Sequence, residues 1–156
     1  MIYLLPFLLL AMDHSEMKDL ISKTKTASFS TMYKEYPYTS LVPYAIDGKG
    51  RPIIFISDLA MHTKNLNKNN KCSLMATKIN NKDVFNSARA TLIGKMTKVP
   101  KDEVKKIYLD KYPDAESLLD LDDFSFYRME VEYIHYIGGF GDINWYNKDQ
   151  IIEIWK

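Results

Sequence analysis

The chain has 156 residues, of which 21 are Lys or Arg and 20 are Asp or Glu, and 46% are hydrophobic. That is the composition of a folded protein of one domain, and a formal charge of +1 excludes the broad positive field of a dedicated nucleic-acid binder. Cys72 is the only cysteine, which excludes an internal disulfide and a Cys-based zinc or iron–sulfur centre and points to a reducing, cytoplasmic setting.

The chain opens on an apolar run, MIYLLPFLLL. A membrane span needs about 20 apolar residues, and this run is broken by Pro6 and ends before Asp13. It also lacks the basic leader of a secretory signal. Residues 1–14 therefore read as an apolar arm that packs on its own domain or on a partner, with 15–156 as one domain and no integral membrane span.

Residues 15–24 place Met17, Leu20 and Ile21 at helical spacing, with Ser15 as the expected N-cap. From Ala27 the period becomes two, which predicts a strand through Tyr33. Pro37 reads as a turn. Residues 38–46 (YTSLVPYAI) are rich in β-formers, with Pro43 inside. Asp47-Gly48-Lys49-Gly50 is a hairpin signal, and Pro52–Ser57 reads as a buried strand. A helix is expected over 58–70, capped by Asp58 and with Leu59, His62, Thr63 and Leu66 on one face. Strands follow over 71–78 and 88–99, then helices opened by Pro100 and Pro113. A long strand is expected over 124–137, with Tyr127, Met129, Val131, Tyr133, His135 and Ile137 toward the core. The tail from Ile143 carries both tryptophans and reads as docked. About six strands with short connections give a mainly β class, an antiparallel small barrel with flanking helices.

No phosphate-binding P-loop, nucleophile elbow or zinc-protease motif is present. His14, His62 and His135 are far apart in sequence. Residues 57–66 (SDLAMHTKNL) bring Ser57, His62, Thr63 and Lys64 to the end of a buried strand. Hydroxyls and cations in that setting can hold a phosphate, while an ordinary amphipathic helix with a solvated His62 and Lys64 is the alternative. Pro43 frees backbone groups that a planar heteroaromatic ring could use, or it simply blunts an edge strand. Arg89 opens the strand over 88–99 and suits a phosphate or carboxylate, or a surface ion pair.

Three segments, YPYTSLVPYAID followed by GKGRPIIFISDLAMHTKNL, then RATLIGKMTKV, then YPDAESLLDLDDFSFYRMEVEYIHYIGGFG, occur in order. Together they resemble the pyridoxamine 5′-phosphate oxidase-like, FMN-binding split barrels, most closely the haem-utilisation branch. The resemblance implies a six-stranded antiparallel split barrel and a homodimer with ligand sites at the interface. The ligand is FMN or haem, and the protein is an oxidoreductase or a non-catalytic flavin or haem binder. In FMN-binding relatives the stretch matching Ser40, Leu41 and Val42 lines the flavin ring. That matching Ser57, His62, Thr63 and Lys64 holds the phosphate, and the strand after Arg89 closes the site. The sequence lacks the oxidase's Arg near Ser40 and its Arg-Lys pair near Met61-His62. The haem branch takes an axial histidine from a C-terminal region. No histidine follows His135 here, which leaves His62 or His135 as the expected iron ligand, with Arg89 or Arg128 to meet a haem propionate.

Overall fold

The computed structural model describes residues 13–156; the apolar arm expected over the preceding residues lies outside them. Helix α1 spans Ser15–Lys23 and buries Met17, Leu20 and Ile21, as their spacing predicts. Ser15 is its first residue, not its cap. The Asp13 carboxylate instead accepts the Ser15 N–H at 2.8 Å, and that bond holds the Asp13 carboxyl below its ordinary range.

Strands β1 (Thr26–Tyr33) and β2 (Tyr36–Pro43) form a hairpin. Its turn falls at Lys34, which takes φ 55°. Pro37 is therefore not the turn: it lies within β2 opposite Met32. An edge strand has one side without a ladder, so proline's missing N–H is tolerated there.

The stretch expected as a single strand over 38–46 is two. β2 ends at Pro43, and β3 (Ala45–Ile46) starts after Tyr44 alone. Yet the sheet order is β2-β1-β5-β6-β7-β4-β3, with β8 paired to β7. One residue thus joins the two outermost strands of that order, which requires the sheet to curl until its edges meet. The barrel is split where proline interrupts the ladder. Tyr44 is wholly buried at this break, and its hydroxyl donates to the Ile21 carbonyl at 2.5 Å. The Tyr112 hydroxyl lies 2.8 Å from the Tyr44 carbonyl. Lys111 crosses the same seam and donates to the Ser22 and Thr24 carbonyls at 3.0 and 2.7 Å. Burial, and the neighbouring Lys25, bring its pKa down to about 8.

The Asp47–Gly50 turn forms as expected: the Asp47 carboxylate accepts the Lys49 and Arg51 N–H groups, and Gly50 takes φ 76°. β4 (Pro52–Ser57) follows. The next helix, α2, is only Met61–Lys68. Asp58 does not cap it, and Leu59 is largely exposed, because residues 58–60 are spent on a turn out of β4. β5 (Lys71–Lys78), β6 (Ala88–Val99), α3 (Lys101–Lys111), a 3₁₀ segment (Pro113–Leu118) and β7 (Phe124–Gly139) complete the expected order. The tail adds β8 (Asp142–Asn147) and α4 (Lys148–Ile154), the latter closed by an Asn147–Gln150 capping box. All pairings are antiparallel. The sheet has eight strands and not six, because β2 and β3 divide what reads as one run and the tail supplies β8.

The face expected for β7 holds only for its first half. Met129 and Val131 are buried, but beyond them Ile134 and Tyr136 are inside and Tyr133 is 51% exposed. Gly94 pairs with Val131 while Ile93 pairs with Tyr133, so Glu132 is the extra residue of a β-bulge. One extra residue exchanges the two faces of a strand. Gly94 makes this possible, since an added Cβ would stand 2.0 Å from the Glu130 carbonyl oxygen. The bulge turns Tyr133, His135 and Ile137 to the outside.

Candidate functional site

The proposed site residues fall in two places. The first is the end of the barrel covered by α2. The side chains of Ser40 and Val42 share the inward face of β2, and Val42 is buried. The Ser40 hydroxyl lies 3.0 Å from Nδ1 of His62, so the proline-broken strand and the 57–64 turn do meet. Phe29, opposite Ser40 in the ladder, sets its ring edge-on to His62 with centroids 6.1 Å apart. Burial favours the neutral imidazole and lowers the His62 pKa from its usual value. Ser57 donates its hydroxyl to Asp123 at 2.5 Å and accepts the Leu59 N–H at 3.1 Å. Thr63 is fully buried and donates to the Ser57 carbonyl at 2.6 Å. Lys64 is exposed. At this end the Ser57 and Thr63 hydroxyls are engaged in holding the turn, and burial disfavours the charged form of the His62 imidazole.

The second place is the outer face of the curled sheet. Leu41 lies here and is 69% exposed. The ladder register aligns Leu41, Ser28, Met75, Thr91, His135 and Trp145 in one row across six strands. The next row runs Thr39, Ser30, Ser73, Ile93, Tyr133 and Asn147. The middle of this face carries Ser28, Ser30, Ser73 and Thr91 together with Met75 and Ile93, with Leu41 on one side and aromatic residues on the other. His135 stacks on Trp145 with ring centroids 4.2 Å apart and planes 14° from parallel, and Trp145 is 59% exposed. Arg89 is one row further along, between Thr77 and Ile137. One arm of its guanidinium donates to the Ser87 carbonyl at 3.1 Å. Arg128, the other basic residue expected to face a propionate, sits 3.5 Å from Glu103 and 3.9 Å from Glu130, so its charge is already partnered.

Leu41, Arg89 and His135 are thus together on the outer face, whereas Ser40, Ser57, His62 and Thr63 are gathered under α2. Sequence reasoning missed Tyr133 and Trp145 as members of the outer face. The available signal was Gly94, a glycine inside a strongly alternating strand, which marks a bulge.

The family model described as CREG, beta-barrel matches residues 12–152. The chain belongs to the CREG β-barrel family. This CREG β-barrel is 40% identical over 116 residues to the chloroplastic heme oxygenase HOZ of Arabidopsis thaliana, a match covering 72% of the chain and 35% of that relative. The chain therefore spans about a third of the length of the plant protein. Its fold superposes on a heme binding protein from Mycobacterium smegmatis with a TM-score of 0.81 and 26% identity, over 91% of this chain and 61% of that one. ChuZ from Campylobacter jejuni has the same fold, with a TM-score of 0.77 at 15% identity, covering 88% of this chain and 60% of its own. The split-barrel, haem-utilisation resemblance read from the sequence agrees with these relatives. No helix among the described residues is long and apolar enough to cross a membrane.

Proposed function

We propose that this CREG β-barrel is a haem-binding oxidoreductase domain whose ligand lies in a cleft between two copies of the chain, against the outer face of the sheet. The observation that carries this reading is His135, an imidazole turned by the Gly94 bulge onto the outer face of the sheet. Identity to a heme oxygenase over 116 residues supports it.

The residues fit the group. Ser28, Ser30, Ser73 and Thr91 leave room on the face for a planar macrocycle, with Met75 and Ile93 as apolar contacts. Trp145 fixes the plane of the His135 ring by stacking, and a fixed imidazole is a better-defined metal ligand. Arg89 keeps guanidinium donors beyond the one used on Ser87, and these suit a carboxylate in fork geometry. Haem, when bound, supplies the iron at which dioxygen chemistry takes place; the chain holds, orients and shields it. The exposed Leu41, Tyr133, Ile143 and Trp145 form the kind of apolar face that marks an interface, which supports a homodimer that closes the cleft.

FMN fits less well. Its phosphate carries about two negative charges and needs convergent donors. Beside Ser57 it would find Lys64, while the Ser57 and Thr63 hydroxyls are engaged and burial works against a charged His62. The lone Cys72 is buried, and burial pushes its thiol up to about 12, so it is unreactive and takes no part in the site.

Titration of the purified chain with haem and, separately, with FMN tests the reading, with sizing in parallel. The expected result is a saturable Soret band, no retained flavin, and a species of twice 18.2 kDa. Adding a reductant and dioxygen should bleach the band. A stable band would leave a haem carrier and remove the oxidoreductase part. Absence of haem binding, or a monomer at micromolar concentration, would overturn the site.

A further inference from the structure

A cleft of about 530 Å³ lies between α4 and the Asp47–Gly50 turn, and none of the residues that line it is assigned above to the haem face. Its size falls within the range of small-molecule sites, about 300–1,000 Å³. The wall is apolar: Val131, Ile151, Ile152 and Trp155 line it. The Trp155 ring is seated against Gly50, where an added Cβ would stand 2.4 Å from the indole. The indole Nε1 is buried with no hydrogen-bond partner, which is an unusual state for a donor.

The rim is cationic. Lys49, Arg51, Lys148 and Lys156 line the cleft against a single carboxylate, Glu130. Arg51 is committed to Asp47 at 2.8 Å and to Glu130 at 3.1 Å, and Lys156 to Glu153 at 2.5 Å. Lys148 stands 3.8 Å from Glu132, with both side chains well exposed, a pairing that contributes little. Lys49 lies in none of the ion pairs formed among the described residues. Two cations are thus available above an apolar wall.

We propose that this cleft binds a small amphipathic anion, an aliphatic or aromatic body carrying one carboxylate, with the body against Ile152 and Trp155 and the charge between Lys49 and Lys148. The juxtaposition selects for both parts: a purely apolar ligand leaves the cations unused, and a small inorganic anion leaves the wall wet. This site is independent of the haem reading.

Calorimetric titration of the native chain with dodecanoate, below its micelle concentration, tests the proposal, with dodecyltrimethylammonium as the cationic counterpart. Saturable binding of the carboxylate and none of the cation is expected. The Lys49→Glu, Lys148→Glu double variant should weaken dodecanoate by about tenfold or more, and Ile152→Asp, which puts a negative charge into the apolar wall, should abolish binding. All three positions are exposed, so the variants should fold, and circular dichroism checks this. Haem titrations of both variants should match the native chain, which separates failure here from failure of the haem site. Equal binding of the two amphiphiles, no saturable heat, or affinity unchanged in the variants would overturn the proposal.

Discussion

The α2 end and the outer sheet face both collect residues of the kind that bind cofactors, yet they differ in what those residues have left to offer. Under α2, Ser57, Thr63 and Asn65 are bonded to Asp123, the Ser57 carbonyl and Thr31, and burial lowers the pKa of the His62 imidazole. On the outer face, His135 touches only an aromatic neighbour among the contacts described, and much of Trp145 is in solvent. Polar side chains that satisfy one another hold a fold together. Those left with free donors and open surface are available to a ligand. The residues that read as a phosphate cradle in the sequence bond within the turn itself: Ser57 to Asp123, and Thr63 to the Ser57 carbonyl.

The sharpest way to break this division is at Gly94. Gly94→Val forces a side chain into the Glu130 carbonyl and should cost about 3 kcal/mol or leave no folded protein. Denaturant unfolding measures it. Should the variant fold with native stability, the bulge is not what turns His135 outward. Next in size is Thr63→Val, which keeps the shape of the buried side chain but removes the bond to Ser57. A loss of about 1–2 kcal/mol is expected, with haem affinity unchanged; weakened haem binding would place the α2 end in the site after all.

The pH dependence of stability comes third. Burial lowers the folded-state pKa of His62 below its ordinary 6.5, so between the two values the unfolded chain holds more protons. Its contribution is intact above about pH 6.5 and is lost as pH falls through the folded value. Thermal unfolding between about pH 7.5 and pH 5 should show a falling midpoint, and His62→Gln should flatten that slope; an unchanged slope would assign it to other groups. The smallest effect is expected for Lys64→Glu. It should move stability by no more than about 0.5 kcal/mol and leave haem titration unaltered, whereas a clear loss of haem or flavin binding would restore a phosphate-type site beside Ser57.

Much of this architecture is legible in the sequence because local physics dictates it. The alternation over Ala88–Val99, the Asp47–Gly50 turn and the Met17, Leu20, Ile21 stripe all appear as read. What escapes the sequence are features set by partners distant along the chain. Nothing in YTSLVPYAI says that Tyr44 bridges opposite edges of one sheet, since that depends on how far the other strands curl it. The reversal of β7 beyond Val131 depends on Gly94, in a neighbouring strand. Of the candidate site, the nearness of Ser40 to His62 was implied by the family resemblance alone, since 22 positions separate them. The engagement of Ser57 was not legible, because Asp123 lies 66 positions away.

Haem titration of two variants side by side probes the central claim most directly. His135→Ala should lose the Soret band of the bound state while staying folded, with stability changed by less than about 1 kcal/mol, and His62→Ala should keep it. A band retained by His135→Ala and lost by His62→Ala would move the ligand from the outer face to the α2 end and contradict the account.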